Sequence, residues 1–159
     1  MELILWRHAE AEAGEPDLDR VLTAKGHKQA ARMAEWLDAA LPNSCRILAS
    51  PAARAVQTAE ALDRKFKVLP ELAPGTSVAT ILAAANWPDS RDPVLLVGHQ
   101  PTLGQIAARL ISGTEQDWSI RKANVWWIVQ RERGDEPDSG NGGDNIYLRA
   151  VMTPELVRK

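Results

Sequence analysis

The chain of 159 residues carries 19 Lys and Arg, 21 Asp and Glu, and a single cysteine. Its length is typical of one domain, residues 1–159, with a sizeable hydrophobic core. The net charge of −2 gives no electrostatic reason to bind nucleic acid or an anionic membrane surface, and one cysteine excludes both an intramolecular disulfide and a zinc-binding cysteine cluster.

No apolar run approaches the length needed to cross a membrane, and the N-terminus has no basic segment followed by a long apolar stretch. We therefore expect a cytoplasmic protein with no membrane partner and no nucleic-acid partner. Because the overall charge is slightly negative, any site for an anionic ligand must come from a local cluster of arginines.

The first predicted element is a short strand at residues 3–6, which are Leu, Ile, Leu and Trp. A continuous apolar run of this kind is typical of a strand buried on both faces of a parallel sheet. The run stops at Arg7-His8, and burying an unpaired charge in a core costs several kcal/mol. Both residues should therefore lie at the carboxyl edge of the sheet, where open α/β sheets bind ligands.

Helices and strands alternate along the next hundred residues. After a polar loop at 13–22, Thr23 is predicted to cap a helix that reaches about Leu41, and Ser50-Pro51 is predicted to start a second helix. Thr76 or Ser77 is predicted to cap a third helix, and Pro101 to begin a fourth. The apolar faces expected for the first two helices are Ala30, Met33, Ala34, Leu37 and Leu41, and then Ala55, Ala59, Leu62 and Phe66.

Strands are predicted at Arg46–Ala49, 67–69, 94–97, 124–130 and Ile146–Met152. The Gly-, Asp- and Glu-rich stretch from 131 to 145 predicts a long, mobile hairpin loop between the last two. This order favours a three-layer α/β/α sandwich with a mostly parallel central sheet, to which the final hairpin adds an antiparallel edge strand.

Three of the predicted strands end in polar residues that should meet. Arg7-His8 follows the first strand, Ser50 and Arg54 follow the second, and His99 follows the strand at 94–97. Parallel strands align their carboxyl ends, so two arginines, two histidines and two helix N-termini should share one patch. Guanidinium groups bind phosphate oxygens in bidentate fashion. We interpret His8 as a nucleophile and Arg7 as a residue that holds the phosphoryl group it attacks.

The order of these motifs resembles that of the histidine phosphatase superfamily. The matching segments are Arg7-His8, Leu22-Thr23-Ala24-Lys25-Gly26, Ser50-Pro51-Ala52-Ala53-Arg54-Ala55-Val56-Gln57-Thr58-Ala59, and Gly98-His99. The short chain and the Arg-His-Ala sequence resemble the SixA-type phosphohistidine phosphatases of that superfamily. The resemblance implies a phosphoglycerate mutase-like fold in its minimal version, without large insertions.

The resemblance also implies a mechanism in which His8 attacks phosphorus and water hydrolyses the covalent intermediate. Arg7, Arg54 and His99 match motif positions that surround the phosphoryl group. For His8 to attack, one ring nitrogen must be unprotonated, so we expect the other to donate to a backbone carbonyl. We expect no cofactor and no metal, because the arginines already supply positive charge.

The residues leave the proton donor open among three carboxylates. Larger family members place a glutamate after the second helix, which makes Glu71 the positional candidate. Asp17 and Asp19 lie beside Arg20 in the loop after the first strand. The SixA-like pattern favours Asp17. Arg20 fits a loop salt bridge as well as a substrate contact, and Ser50 fits a helix cap as well as a phosphate-binding residue.

The leading hypothesis is a monomeric phosphohistidine phosphatase acting on a phosphorylated protein, such as a phosphorelay or phosphocarrier domain. One alternative is a phosphatase of small phosphoesters with the same mechanism. Another is a non-catalytic module that binds phosphate, although binding alone does not need a nucleophile.

Overall fold

The computed structural model describes residues 1–131 and 145–157. Its strands form one six-stranded sheet in the order β3-β2-β4-β1-β5-β6. The first four strands in chain order run parallel, whereas β5 pairs antiparallel with β1 and β6 pairs antiparallel with β5. The strands are β1 Glu2–Arg7, β2 Arg46–Ala49, β3 Lys67–Val68, β4 Val94–Gly98, β5 Val125–Gln130 and β6 Ile146–Met152.

Four helices cover the two faces of this sheet. They are α1 Ala24–Ala40, α2 Ala53–Glu60, α3 Val78–Ala84 and α4 Thr102–Ser112. One core cluster packs α1 and α2 against side chains such as Ile4, Trp6 and Val97. The other packs α3 and α4 against the opposite face, against side chains such as Leu3 and Leu96. The predicted three-layer α/β/α sandwich with a mostly parallel sheet is confirmed.

The second helix differs from its prediction at both ends. It begins at Ala53, with Ala52 as its N-cap, because the Ser50 hydroxyl is engaged with the Ala52 amide and with His99 instead of capping a helix at Pro51. It ends at Glu60, and Asp63 then adopts a left-handed φ of 54°, which stops the helix before Phe66. Phe66 is half-buried outside the helix, so the predicted stripe was too long.

The other predicted helices and strands lie within about two residues of their observed bounds. Thr23 caps α1 by accepting a hydrogen bond from Gly26, and Ser77 caps α3 by accepting one from Thr80. The interior of the loop predicted at 131–145, residues 132–144, lies outside the described residues. Within the described ranges, no helix is both long enough and apolar enough to cross a bilayer.

Candidate active site

The carboxyl ends of β1, β2 and β4 bring the predicted site residues together. In the parallel pairing Arg7 lies opposite Gly98, and the His8 amide donates to the Gly98 carbonyl at 3.1 Å. On the other side of β4, the Ser50 amide donates to the Val97 carbonyl at 3.0 Å. The rings of His8 and His99 consequently lie with their centroids 5.1 Å apart. Ser50 and His99, which follow His8 by 42 and 91 positions in the chain, thus lie with it at the same edge of the sheet.

His8 is buried and held in one orientation by the backbone. Its Nδ1 lies 2.8 Å from the carbonyl oxygen of Ala9, as expected for an imidazole that donates from this nitrogen. The Nε2 lone pair is then free for attack on an electrophile. Burial, together with the nearby positive charges of Arg54 and Arg7, lowers the pKa of His8 to about 4. The imidazole is therefore neutral at physiological pH, as a nucleophile must be.

Arg54 reaches the site from the first turn of α2, although its side chain is only 6% exposed. Its Nη1 donates to the main-chain oxygen of Asp17 at 2.8 Å, and its Nη2 donates to the Asp17 carboxylate at 3.1 Å. Arg7 is half-buried and donates from Nη1 to the carbonyl of Ile120 at 2.9 Å. Burial lowers the pKa of the Arg7 guanidinium, but an arginine stays charged in proteins. Two fixed positive charges therefore flank the His8 ring.

His99 is oriented by Ser50, whose hydroxyl oxygen lies 2.7 Å from its Nε2. The same oxygen accepts a hydrogen bond from the Ala52 amide at 3.2 Å, so the hydroxyl proton is available to Nε2. This arrangement leaves the ring proton on Nδ1. Burial, together with the proximity of His8 and Arg54, lowers the pKa of His99 to about 3. His99 is therefore a neutral hydrogen-bond donor, and Ser50 is the residue that orients it.

Three buried side-chain atoms in the described part of the chain have no hydrogen-bond partner, and all belong to this site. They are Nε of Arg7, Nε of Arg54 and Nδ1 of His99. Each carries an N–H in the arrangement above, and leaving a buried donor unpaired costs about 1–3 kcal/mol. A folded protein rarely tolerates such groups unless a ligand or catalytic role requires them. The cluster is suited to binding the oxygens of an anion.

Two residues of α2 hold the loop that carries the nucleophile. The Thr58 hydroxyl donates to the Arg54 carbonyl at 2.8 Å and accepts from the Ala9 amide at 3.0 Å. Gln57 accepts from the Leu22 amide at 2.7 Å. Sequence reasoning could not separate these roles from ordinary helix packing. One signal could have identified Gln57 and Thr58: both lie after Arg54 in the segment whose sequence resembles the histidine phosphatase superfamily.

A close approach of α1 fixes the same loop from the other side. A Cβ added to Gly26 would lie 2.0 Å from the Glu10 carbonyl oxygen, so this position of the helix accepts only glycine. The Glu10 amide donates to the side chain of Gln29 at 3.0 Å, and the Thr23 hydroxyl donates to the Glu10 carboxylate at 2.8 Å. The conformation of residues 8–10 is thus set by both helices of this face.

The carboxylates predicted as proton donors occupy different places. Asp17 contacts Arg54 as described, and these hydrogen bonds hold the pKa of its carboxyl below the usual range. Glu71 is exposed in a short 3-10 turn, Pro70–Leu72, and Asp19 is exposed in another, Asp17–Asp19. In the described ranges no side-chain hydrogen bond or ion pair joins either to the site. Of the three carboxylates, Asp17 is the one in contact with Arg54.

Arg20 forms a loop salt bridge in the structure. Its Nη1 lies 3.0 Å from the Asp17 carboxylate, and its Nε donates to the carbonyl of Glu12 at 2.8 Å. Asp17 therefore bridges Arg20 and Arg54. No group of three His, Cys, Asp or Glu side chains suited to a metal ion occurs among residues 1–131 and 145–157.

The lowered pKa values of the two histidines predict a loss of stability in mild acid. Below the ordinary pKa of 6.5, the unfolded chain binds protons that folded His8 and His99 do not bind. The free energy of unfolding should therefore fall by a few kcal/mol between pH 7 and pH 5. Urea unfolding at the two pH values measures this change. The double variant His8→Asn/His99→Asn should lose much less, and an equal loss would contradict the assignment.

The first half of the chain matches a known family. Residues 3–77 match the model of the histidine phosphatase superfamily (branch 1). Phosphohistidine phosphatase SixA of Escherichia coli is 33% identical over 122 residues, which cover 71% of this chain and 76% of that protein. An uncharacterized protein of a Picosynechococcus strain is 36% identical over 136 residues, 79% of this chain and 82% of its own length.

Solved structures agree with this result over the whole chain. The structure of the protein histidine phosphatase SixA complexed with tungstate matches with a TM-score of 0.75 at 27% identity, and the match covers 99% of this chain and 100% of that one. A phosphoserine phosphatase variant from Entamoeba histolytica shares the fold, with a TM-score of 0.68 at 15% identity.

Proposed function

The chain belongs to the histidine phosphatase superfamily and is a phosphatase, and we propose that it removes the phosphoryl group from a phosphorylated histidine of another protein. The proposed reaction passes through a covalent intermediate on His8. The observation that carries the proposal is the set of three unpaired N–H donors, on Arg7, Arg54 and His99, around a neutral buried imidazole. The related SixA structure is complexed with tungstate, which is a tetrahedral oxyanion as phosphate is, and this supports a phosphoryl group as the ligand.

The reaction proceeds in two displacements. In the first, Nε2 of His8 forms a bond to phosphorus while the P–N bond of the substrate breaks and its electron pair returns to the leaving imidazole. In the second, water attacks phosphorus, the bond to His8 breaks, and inorganic phosphate leaves with the free imidazole restored. Negative charge on the three equatorial oxygens is stabilised in both steps by Arg7, Arg54 and the His99 N–H.

The state of Asp17 supports phosphohistidine over an alkyl phosphate as substrate. Arg54 lowers the pKa of the Asp17 carboxyl, so this side chain is ionised at neutral pH and carries no proton to donate. A phosphohistidine protonated on its distal nitrogen leaves as neutral imidazole and needs no acid from the enzyme. An alkoxide leaving group needs such an acid to protonate it. We propose that the ionised Asp17 carboxylate accepts a hydrogen bond from the departing imidazole or from the attacking water.

A pair of peptides that differ only in the phosphorylated residue tests this choice of substrate. A missing general acid costs a reaction about 10²- to 10⁴-fold, so kcat/KM should be at least ~100-fold higher for the phosphohistidine peptide than for the phosphoserine peptide. Release of inorganic phosphate measures both. A preference for the phosphoserine peptide would contradict the proposal and favour a phosphatase of phosphoesters.

A further inference from the structure

The outer face of α1 carries three cations beside an open cleft. Lys25, Lys28 and Arg32 follow one another at spacings of three and four residues and so lie on one side of the helix. They line a cleft of about 470 Å³. Its remaining lining residues are Gln29, Ala31, Glu35, Pro154 and Glu155. We refer to this feature as the basic cleft.

The three cations of the basic cleft form no ion pair in the described part of the protein. In the described ranges, no carboxylate lies within ion-pair distance of Lys25, Lys28 or Arg32, whereas Arg20, Arg54, Arg64 and Arg149 each have such a partner. The pKa of the neighbouring Glu155 carboxyl is lowered mainly by the hydrogen bond from Thr153, and the charges of Arg121 and Lys25 add to this effect. Lys25 and Lys28 are exposed, and like charges three or four residues apart destabilise a helix slightly. On a chain with a net charge of −2, this cluster is a local exception.

The basic cleft adjoins the nucleophile loop. Gln29, one of its lining residues, accepts the hydrogen bond from the amide of Glu10, two residues after His8. A partner bound in the basic cleft would therefore contact α1, the helix that holds residues 8–10 through Gly26 and Gln29.

We propose that the basic cleft docks an acidic surface of the protein that presents the phosphohistidine. This inference rests on the proposed function and names a recognition site for its substrate. Charge complementarity argues for an anionic partner. The lining also holds two carboxylates, Glu35 and Glu155, and apolar surface on Ala31 and Pro154. A protein can meet this mixture by placing cationic and apolar side chains beside its acidic ones, whereas a nucleic-acid backbone offers only negative phosphates.

Charge reversal of the cleft tests the proposal without touching the catalytic groups. The variant is Lys25→Glu/Lys28→Glu/Arg32→Glu, and its matched control is Lys65→Glu/Lys67→Glu/Arg91→Glu, which reverses three exposed cations elsewhere on the surface. Glutamate is nearly as good a helix former as lysine, and Lys25 lies in the first turn, where a negative charge is favourable, so α1 should stay folded. The probes are an acidic phosphorelay domain phosphorylated on histidine and free phosphohistidine.

For the acidic domain we expect the cleft variant to lower kcat/KM roughly tenfold or more, through KM, and to flatten its dependence on salt. For free phosphohistidine, kcat/KM of the cleft variant should stay within about twofold of the unaltered protein. The control variant should keep its kcat/KM for both probes. Unchanged turnover of the domain would overturn the proposal, as would equal losses on both probes. Binding of a labelled RNA or DNA that the reversal abolishes would also overturn it. Failure of the unaltered protein on both probes would instead contradict the proposed function.

Discussion

The variant His8→Ala is expected to have no turnover and to acquire no covalent phosphoryl label, which is the largest effect we predict. Alanine removes the Nε2 atom that we propose bonds to phosphorus, which the hydrogen bond between Nδ1 and Ala9 leaves free. Loss of an enzyme's nucleophile costs roughly 10⁴-fold or more in kcat. The measurement is incubation with a ³²P-labelled phosphohistidine protein, followed by acid or alkaline quench. The label on the unaltered chain should survive alkali and be lost in acid, as a phosphoramidate is.

His27→Ala is the matched control for this experiment, because His27 is a histidine exposed on the outside of α1. It should keep both the label and the turnover. Label on the His8→Ala protein would show that another residue is the nucleophile. If the unaltered chain took no label and released no phosphate from any phosphohistidine donor, the site would be better explained as a phosphate-binding module.

Arg54→Ala should lower kcat/KM by roughly 10²- to 10³-fold, the second largest effect. The substitution removes one of the two guanidinium groups that we propose stabilise charge on the transferred phosphoryl group, and it also releases Asp17 from its contact with Arg54. Because Nε of Arg54 is buried without a partner, the residue contributes little net stability. We expect the free energy of unfolding to change by only about 1 kcal/mol, so a loss of activity can be distinguished from a loss of stability.

Arg54→Lys distinguishes the geometry of this group from its charge. Lysine keeps the positive charge but cannot bind two phosphate oxygens with one planar group, so it should recover only part of the lost activity. Kinetics of phosphate release and urea unfolding, measured on both variants, make the comparison. Near-normal turnover of Arg54→Ala would mean that Arg54 does not bind the phosphoryl group.

The strands were the best predicted part of the fold, for a physical reason. Arg46–Ala49 and Ile146–Met152 match their predictions residue for residue, because a short strand shows in the sequence as a brief apolar or alternating run. The second helix was predicted wrongly because Ser50-Pro51 carries a strong local cap signal. Only the tertiary structure shows that the Ser50 hydroxyl is used by His99 instead.

The candidate site shows the same difference between residues that the sequence predicts and contacts that only the fold determines. Arg7, His8, Arg54 and His99 each follow a strand that ends abruptly, and the alignment of parallel strands brings them together as predicted. Their partners come from loops. The carbonyls of Ile120 and Asp17 that hold the two arginines could not be predicted, because main-chain acceptors have no sequence signature. The backbone hydrogen bond of His8 was predictable, since the chemistry requires it whichever residue supplies the oxygen.

The contact between Arg54 and Asp17 has a consequence for the end of the reaction cycle. Two donors of the guanidinium hold a main-chain oxygen and a carboxylate oxygen of Asp17, so a tetrahedral anion that displaces them gains only the difference between two sets of partners. Released phosphate must compete against this internal substitute, which is always present at high effective concentration. We therefore expect weak binding of the product phosphate, with the guanidinium kept in place for the next substrate.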